Sequence, residues 1–520
     1  MLAHVLSASV LGLEPVVVTV EASFTSGLPS LTVVGLPQNA VREGRERVIA
    51  ALRHIGIALP PRRITINLAP ADVRKEGSGL DLALAVALMV GAGVVPLEAI
   101  KGTGFLGELG LDGTVRPVRG VLSRVAGLAE AGCDRVVVPE ENACEARAVG
   151  GPVVFSLPDL ETLRGWLVGE RSWGQCVSGA VAVGGERVEA GTTFPSGNGA
   201  LRDTAADLRD VQGQEAARRA LEIAAAGGHN IVFVGPPGSG KTLLASRLPG
   251  ILPPFGRKEA LEASRIHSVS GLLGRGEGLL RARPFRAPHH SISPAGLAGG
   301  GQPIRPGEIS LAHQGVLFLD ELPEYRRSVL ELLREPLESG TILLGRAQGN
   351  VRFPARFLLV AAMNPCPCGF HGTLGERCSC PPALIERYRS RVSGPLLDRI
   401  DLHVPVQPVP LDRLTSHQDG ESTEAVAGRV MEARAHGAAR NGGAPNALLS
   451  PRSLRTCARI DSEAIGLFQR AQTRMSLSAR GFHRTLRVAR TIADLAGREA
   501  VRSGDVAEAL HYRELDRPVV

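Results

Sequence analysis

The sequence predicts an α/β protein organised around an open, parallel sheet that carries a nucleotide site. The first observation is the string Gly235-Pro236-Pro237-Gly238-Ser239-Gly240-Lys241-Thr242, which fits G-x-x-x-x-G-K-[ST]. The second is Val316-Leu317-Phe318-Leu319, an apolar run that ends in Asp320-Glu321. The third is Leu358-Leu359-Val360-Ala361-Ala362-Met363, which ends in Asn364. Ligands of open α/β sheets sit at the C-terminal ends of the strands. Three strands ending in polar residues around one phosphate-binding loop therefore describe one site.

Each element has a local reason. Ile231-Val232-Phe233-Val234 reads as a buried strand that leads into the loop. Gly235, Gly238 and Gly240 let backbone N–H groups turn inward around phosphate oxygens, with Pro236, Pro237 and Ser239 completing the cradle. Leu243-Leu244-Ala245-Ser246-Arg247-Leu248 reads as the start of a helix, whose N-terminus adds partial positive charge. Lys241 is expected to reach the β- and γ-phosphates, and the Thr242 hydroxyl to ligate Mg²⁺. Asp320 is placed to hold the ion through water, Glu321 to polarise the attacking water, and Asn364 to orient it. ATP and Mg²⁺ are the cofactors this pattern calls for.

A chain of 520 residues exceeds what one core holds, so several domains are expected. A formal charge of +7, mostly from arginine, favours a polyanionic partner. Aromatic content of 3% argues against a single-strand binder built on stacking platforms. Nucleic-acid contact would then run through phosphates and weaken with salt. The start Met1-Leu2-Ala3-His4-Val5-Leu6 lacks the basic region of a signal peptide. The most apolar stretch, residues 82–95, is too short to span a bilayer. A cytoplasmic protein with no membrane partner is expected, in which eight cysteines do not form a disulfide framework.

Residues 1–168 alternate short strands and helices. Val16-Val17-Val18-Thr19-Val20, Leu31-Thr32-Val33-Val34, Ile64-Thr65-Ile66-Asn67-Leu68 and Arg135-Val136-Val137-Val138-Pro139 read as strands, and residues 42–55 as an amphipathic helix. Residues 169–206, rich in Gly, Ser and Thr, read as a linker or exposed hairpin. The nucleotide-binding core is expected over 207–404. It opens with a helix over 207–228 that has Gln212-Gly213-Gln214 in its first turn. Residues 405–450, polar with Gly and Pro, read as a second linker, and 451–520 as a helical lid.

Four further strings carry a resemblance. Phe285-Arg286-Ala287-Pro288-His289-His290, Gly307-Glu308-Ile309-Ser310-Leu311-Ala312-His313, Leu319-Asp320-Glu321 and Gly394-Pro395-Leu396-Leu397-Asp398-Arg399-Ile400-Asp401 resemble the magnesium-chelatase-like branch of AAA+ ATPases. Nearly the whole chain resembles the ComM/YifB family. That likeness implies an AAA+ P-loop core with a helical lid, in a homohexameric ring ATPase that acts on single-stranded or branched DNA. Members are implicated in branch migration during natural transformation. By position, Arg399 matches the arginine finger that reaches a neighbour's γ-phosphate. Arg480, in Ser478-Ala479-Arg480-Gly481, matches the second sensor arginine, with Arg484 as its rival.

The same likeness makes residues 255–310 an insertion that forms a hairpin facing the ring pore. Gly296-Leu297-Ala298-Gly299-Gly300-Gly301-Gln302-Pro303 at its centre reads as neither regular strand nor helix. Arg281, Arg283, Arg286 and Arg305 flank it and suit a phosphate-tracking loop, with inter-subunit packing as the other reading. The N-terminal segment resembles the α+β, ribosomal S5-like proteolytic domain of the Lon protease, through Phe105-Leu106-Gly107-Glu108-Leu109-Gly110-Leu111-Asp112-Gly113 and Val136-Val137-Val138-Pro139-Glu140-Glu141-Asn142. Lon chemistry needs a serine activated by a lysine. Ser78 is the nearest serine, and Val121-Leu122-Ser123-Arg124 stands where the lysine belongs. Arg124 keeps its proton, so a non-proteolytic domain is expected.

Cys366-Pro367-Cys368 and Cys378-Ser379-Cys380 offer four thiolates within fifteen residues, suited to tetrahedral Zn²⁺. Reduced structural cysteines and a regulatory dithiol are the alternatives. Three functions stay open at this level: a DNA helicase or branch-migration motor, a protein-remodelling or chelatase-type motor, and a DNA-binding scaffold whose ATP site controls assembly.

Overall fold

A computed structural model of the chain describes residues 2–36, 39–72, 75, 77–174, 207–274, 276–346, 349–372, 378–410, 420–475 and 478–513. The nucleotide-binding part holds five strands in the order Phe285–Arg286, Val316–Leu319, Leu358–Met363, Ile231–Val234 and Leu402–Pro405. Every neighbouring pair is parallel. Parallel sheets are covered on both faces, so their strands are apolar throughout. Here alternate side chains enter two different cores. Ile231, Phe233, Val316, Phe318, Val360 and Ala362 pack with Glu215–Gly227, Lys241–Ile251, Thr423–Asn441 and the C-terminal helix Ala479–Leu495. Val232, Leu317, Leu319, Leu359 and Ala361 pack against residues of the insertion and the segments after Glu321.

The N-terminal part is a seven-stranded mixed sheet, ordered Ser30–Val34, Arg63–Ala69, Glu14–Thr25, Leu2–Leu11, Thr103–Phe105, Arg135–Pro139 and Val153–Leu157. The four strands read from the sequence are present. The strand Leu2–Leu11 was not among them, although it sits between two neighbours in the sheet. The apolar run at 82–95 supplies all but the first residue of the helix Asp81–Gly91, which is buried from Asp81 through Val90. No helix among the described residues is long and apolar enough to cross a membrane.

The two parts are joined by polar contacts along the helix Arg257–Ser270. Gly120 N donates to Ser268 O at 3.2 Å. Arg265 donates from Nε to Ser123 Oγ at 3.1 Å and from Nη2 to Leu13 O at 2.8 Å. Glu145, buried, accepts from Leu122 N, Asn142 Nδ2 and Ser268 Oγ. Burial raises the pKa of the Glu145 carboxyl, and these donors counter part of that rise.

Three readings need correction. Within 405–450, expected as a linker, lies the 19-residue helix Thr423–Asn441. Val426, Val430, Ala433 and Gly437 form its buried stripe, and Ser422 caps it by accepting from Ala425 N at 3.2 Å. The helix expected from residue 207 starts later, as Glu215–Gly227. Gln212 and Gly213 precede it, and Gln214 holds its N-cap position with φ 57°. Its Nε2 reaches Ser239 O at 3.2 Å and Gln407 O at 2.6 Å, so this residue ties the phosphate loop to the chain beyond the last strand. The insertion centre is more regular than expected. Pro294–Ala298 is a short helix started by the Ser293 side chain, and Gly299–Gly300 pairs antiparallel with Arg305–Pro306. Of the expected linker or hairpin at 169–206, residues 175–206 lie outside the described residues.

Candidate nucleotide site

The phosphate loop leaves the central strand Ile231–Val234 and closes on the helix Lys241–Ile251. Glycine is required at its first position, because a Cβ on Gly235 would lie 2.1 Å from Val406 O. Gly240 holds φ 89° at the helix N-cap, a conformation open to glycine. Lys241 Nζ donates to Gly235 O and Pro236 O, both at 2.8 Å, and to Asn364 Oδ1 at 3.3 Å. Burial lowers the pKa of this ammonium, while Asp320 and Glu321 oppose the shift. Ser239 Oγ is buried with no hydrogen-bond partner among the described residues. A buried orphan hydroxyl beside a ring of loop carbonyls and a desolvated lysine suits an anionic phosphate chain.

Thr242 Oγ1, on the first turn of the helix Lys241–Ile251, donates at 2.8 Å to Asp320 Oδ2 at the end of the strand Val316–Leu319. These two groups would hold Mg²⁺. Asp320 Oδ1 also accepts from Glu321 N at 2.9 Å. Glu321 adopts φ 51°, a left-handed conformation uncommon for a residue with a Cβ. Its carboxylate meets His290 Nδ1 at 3.1 Å. The sequence reading placed His290 only inside a family string. His290 lies just past the edge strand Phe285–Arg286, and the way that strand ends brings it to Glu321. The His290 ring lies against that of His289 at a tilt of 35°, with centroids 4.1 Å apart. Tyr325 OH donates to Pro288 O at 2.5 Å and fixes the same turn. Burial and the two nearby carboxylates push the Tyr325 phenol up, so it stays a donor.

Residues 207–414 match the family described as magnesium chelatase, subunit ChlI. Residues 20–142 match its description as subunit ChlI of Mg-chelatase, and 420–513 its C-terminal part. The competence protein ComM of Haemophilus influenzae is 41% identical over 519 residues, covering 99% of this chain and 98% of its own. The chain belongs to the ComM/YifB family. The uncharacterized protein YifB of Escherichia coli is 40% identical over 512 residues, covering 98% of this chain and 96% of its own. An uncharacterized protein of Mycobacterium tuberculosis is 45% identical over 517 residues, covering 99% of both chains. This ComM/YifB protein is thus a magnesium-chelatase-like AAA+ protein that binds ATP with Mg²⁺.

The remaining sequence-derived residues fall in different places. Arg399 lies outside the loop, paired with Glu338 and Pro395 O in its own chain. Arg480 is exposed on the first turn of Ala479–Leu495. Arg484, one turn on, is buried and lies 3.9 Å from Asp398, beside Arg399. Among the four insertion arginines, two have internal work. Arg283 donates to Pro253 O, Gln314 O and Glu259, and Arg286 makes a bidentate pair with Glu308 at 2.6 and 2.7 Å. The phosphate-tracking set therefore shrinks to Arg281 and Arg305, which are exposed.

The four cysteines converge. Cys366 Sγ lies 3.2 Å from Cys368 Sγ and 3.7 Å from Cys378 Sγ, and all four sulfurs, Cys380 included, lie within 4.8 Å of one another. Tetrahedral zinc with Zn–S near 2.3 Å sets sulfurs about 3.8 Å apart. In the N-terminal part, Ser78 Oγ donates to Glu108 Oε2. Arg124 donates to Ala8 O and Arg119 O and lies against Gly79. Burial pushes its guanidinium down to about 10, which still leaves it charged at neutral pH.

Proposed function

We propose that this protein is an ATP-hydrolysing homohexameric motor that acts on DNA, as a helicase or branch-migration factor. One observation carries the reading. A single segment supplies both His290, which holds Glu321, and the hairpin Gly299–Gly300/Arg305–Pro306, which presents the exposed Arg305. Force on that hairpin has a short covalent route to His290, and from there one ion contact to the residue that prepares the water. The Arg286–Glu308 pair closes the base of the segment and keeps the route stiff. The name of the Haemophilus relative, a competence protein, supports a role in DNA uptake or recombination.

In this reading Lys241 and the loop amides hold the phosphates, while Thr242 and Asp320 hold the ion. Glu321 polarises the attacking water and Asn364 orients it. Arg399 leaves Glu338 to enter the neighbouring subunit's site, and Arg480 comes from the lid. The Cys366, Cys368, Cys378 and Cys380 cluster takes Zn²⁺. The N-terminal part is a Lon-like domain without proteolysis, because an arginine, Arg124, lies against Gly79 and Ser78 Oγ is engaged by Glu108. Four units serve this motor: the N-terminal domain over 1–168, the core over 207–404, a connection over 405–450 that includes the helix Thr423–Asn441, and the lid over 451–520.

The family description, a chelatase subunit, supports a second reading in which the ring works on a partner protein. DNA separates the two. Replacing Arg305 and Gly299-Gly300-Gly301 with a short neutral linker should leave basal ATP hydrolysis intact and abolish its stimulation by DNA. Binding of the unaltered protein to branched DNA should need ATP. It should also weaken by roughly 10³-fold or more between 50 and 200 mM salt if six or more phosphates are neutralised. Normal DNA stimulation in the altered protein would return the insertion to a packing role. The protein-directed reading would gain if no DNA stimulates the unaltered protein.

A further inference from the structure

The cysteine cluster is built into the nucleotide site. Cys366 follows Asn364 by two residues, and Asn364 Oδ1 accepts from Lys241 Nζ. Between the first and second cysteine pairs, Gly369 holds φ 91°, and a Cβ there would lie 2.6 Å from Pro237 Cδ. The loop that carries Cys368 therefore presses on the phosphate loop from outside. At the other end, Cys380 leads directly into the helix Pro382–Arg389, whose Arg389 donates from Nε to Pro365 O at 3.2 Å. The residue between Asn364 and Cys366 is thus held from both sides. Cys366 itself is fully buried.

Four sulfurs this close have little reason to stay together as thiols, since S–H groups are weak donors and weak acceptors. A divalent ion supplies the attraction and removes the thiol protons. Building on the proposed zinc reading, we infer that zinc held by Cys366, Cys368, Cys378 and Cys380 braces the ATP site. The ion sets Gly369 against Pro237 and Asn364 against Lys241. The phosphate loop is then pre-formed, and nucleotide binding avoids the cost of ordering it. Loss of the ion acts on nucleotide affinity before it acts on the fold, because the cluster lies outside both large cores.

The test uses full-length protein purified without chelator. Metal content is measured first, and about one zinc per chain is expected. Affinity for a fluorescent ADP analogue is then measured in excess Mg²⁺, before and after a zinc-selective chelator, and again after zinc is restored. The expected result is a loss on the order of tenfold that zinc reverses. Affinity unchanged by zinc removal would overturn the brace while leaving the metal site standing. Protein without zinc would overturn the metal site and the brace with it. Cys378→Ser with Cys380→Ser should reproduce the chelated state. Gly369→Ala guards against a variant that merely misfolds. With its zinc content measured and retained, it should still bind nucleotide more weakly, because a Cβ at this left-handed position strains the loop and meets Pro237. Wild-type affinity in Gly369→Ala would show that the loop contact transmits nothing, and would also overturn the brace.

Discussion

Glu321→Gln should bind ATP and fail to turn it over. The amide keeps the shape of the carboxylate but cannot accept a proton, and a positioned general base contributes about 10²–10⁴-fold. Its backbone donates to Asp320, and Asp320 in turn accepts from Thr242, so the ion-holding pair should survive the change. Lys241→Ala should fail one step earlier. Its ammonium is the donor that now spans Gly235 O, Pro236 O and Asn364 Oδ1. Removing a charged donor to phosphate costs about 1.5–3 kcal/mol, or roughly ten- to hundredfold in affinity. Phosphate release and fluorescent-nucleotide binding separate the two defects. Wild-type turnover by Glu321→Gln would remove that residue from the water-polarising role.

Arg399→Ala should be almost inactive alone and regain activity when mixed with Lys241→Ala. An arginine finger is worth about 10³–10⁵ in rate. Within one chain the Arg399 guanidinium is occupied by Glu338 and Pro395 O, at the end of the helix Arg334–Ser339. The Arg399 side chain is largely covered, but its partner Glu338 is exposed and screened by water, so a neighbour's phosphate can compete for the guanidinium. At some interfaces of a mixed ring, an intact Lys241 meets an intact Arg399, and those sites should hydrolyse ATP. No rescue in rings shown to be mixed would confine Arg399 to its own subunit.

The phosphate loop and the strands ending in Asp320 and Asn364 were readable because parallel strands need apolar residues on both faces. Runs such as Val316–Leu319 and Leu358–Met363 leave little else to be. The cysteine pairs were readable because ligand spacing is local. The helix Thr423–Asn441 was not, since its stripe is made of two valines, an alanine and a glycine among many charges. Leu2–Leu11 was missed because two of its interior-facing residues, Ser7 and Ser9, are polar, and Ser7 Oγ is satisfied by Phe105 O at 2.7 Å. Charges carry no label of their partner. Arg283 and Arg286 looked like Arg281 and Arg305 until the fold brought Glu259 and Glu308 to them. The hold of His290 on Glu321 depends on how the edge strand ends, which no local pattern reveals.

The most direct measurement of the motor is strand displacement from a labelled four-way DNA junction by the unaltered protein. The account predicts displacement that requires ATP hydrolysis, is absent in Lys241→Ala and Glu321→Gln, and falls steeply with salt. ATP hydrolysis by an assembled ring that leaves every junction and single-strand substrate untouched would contradict it.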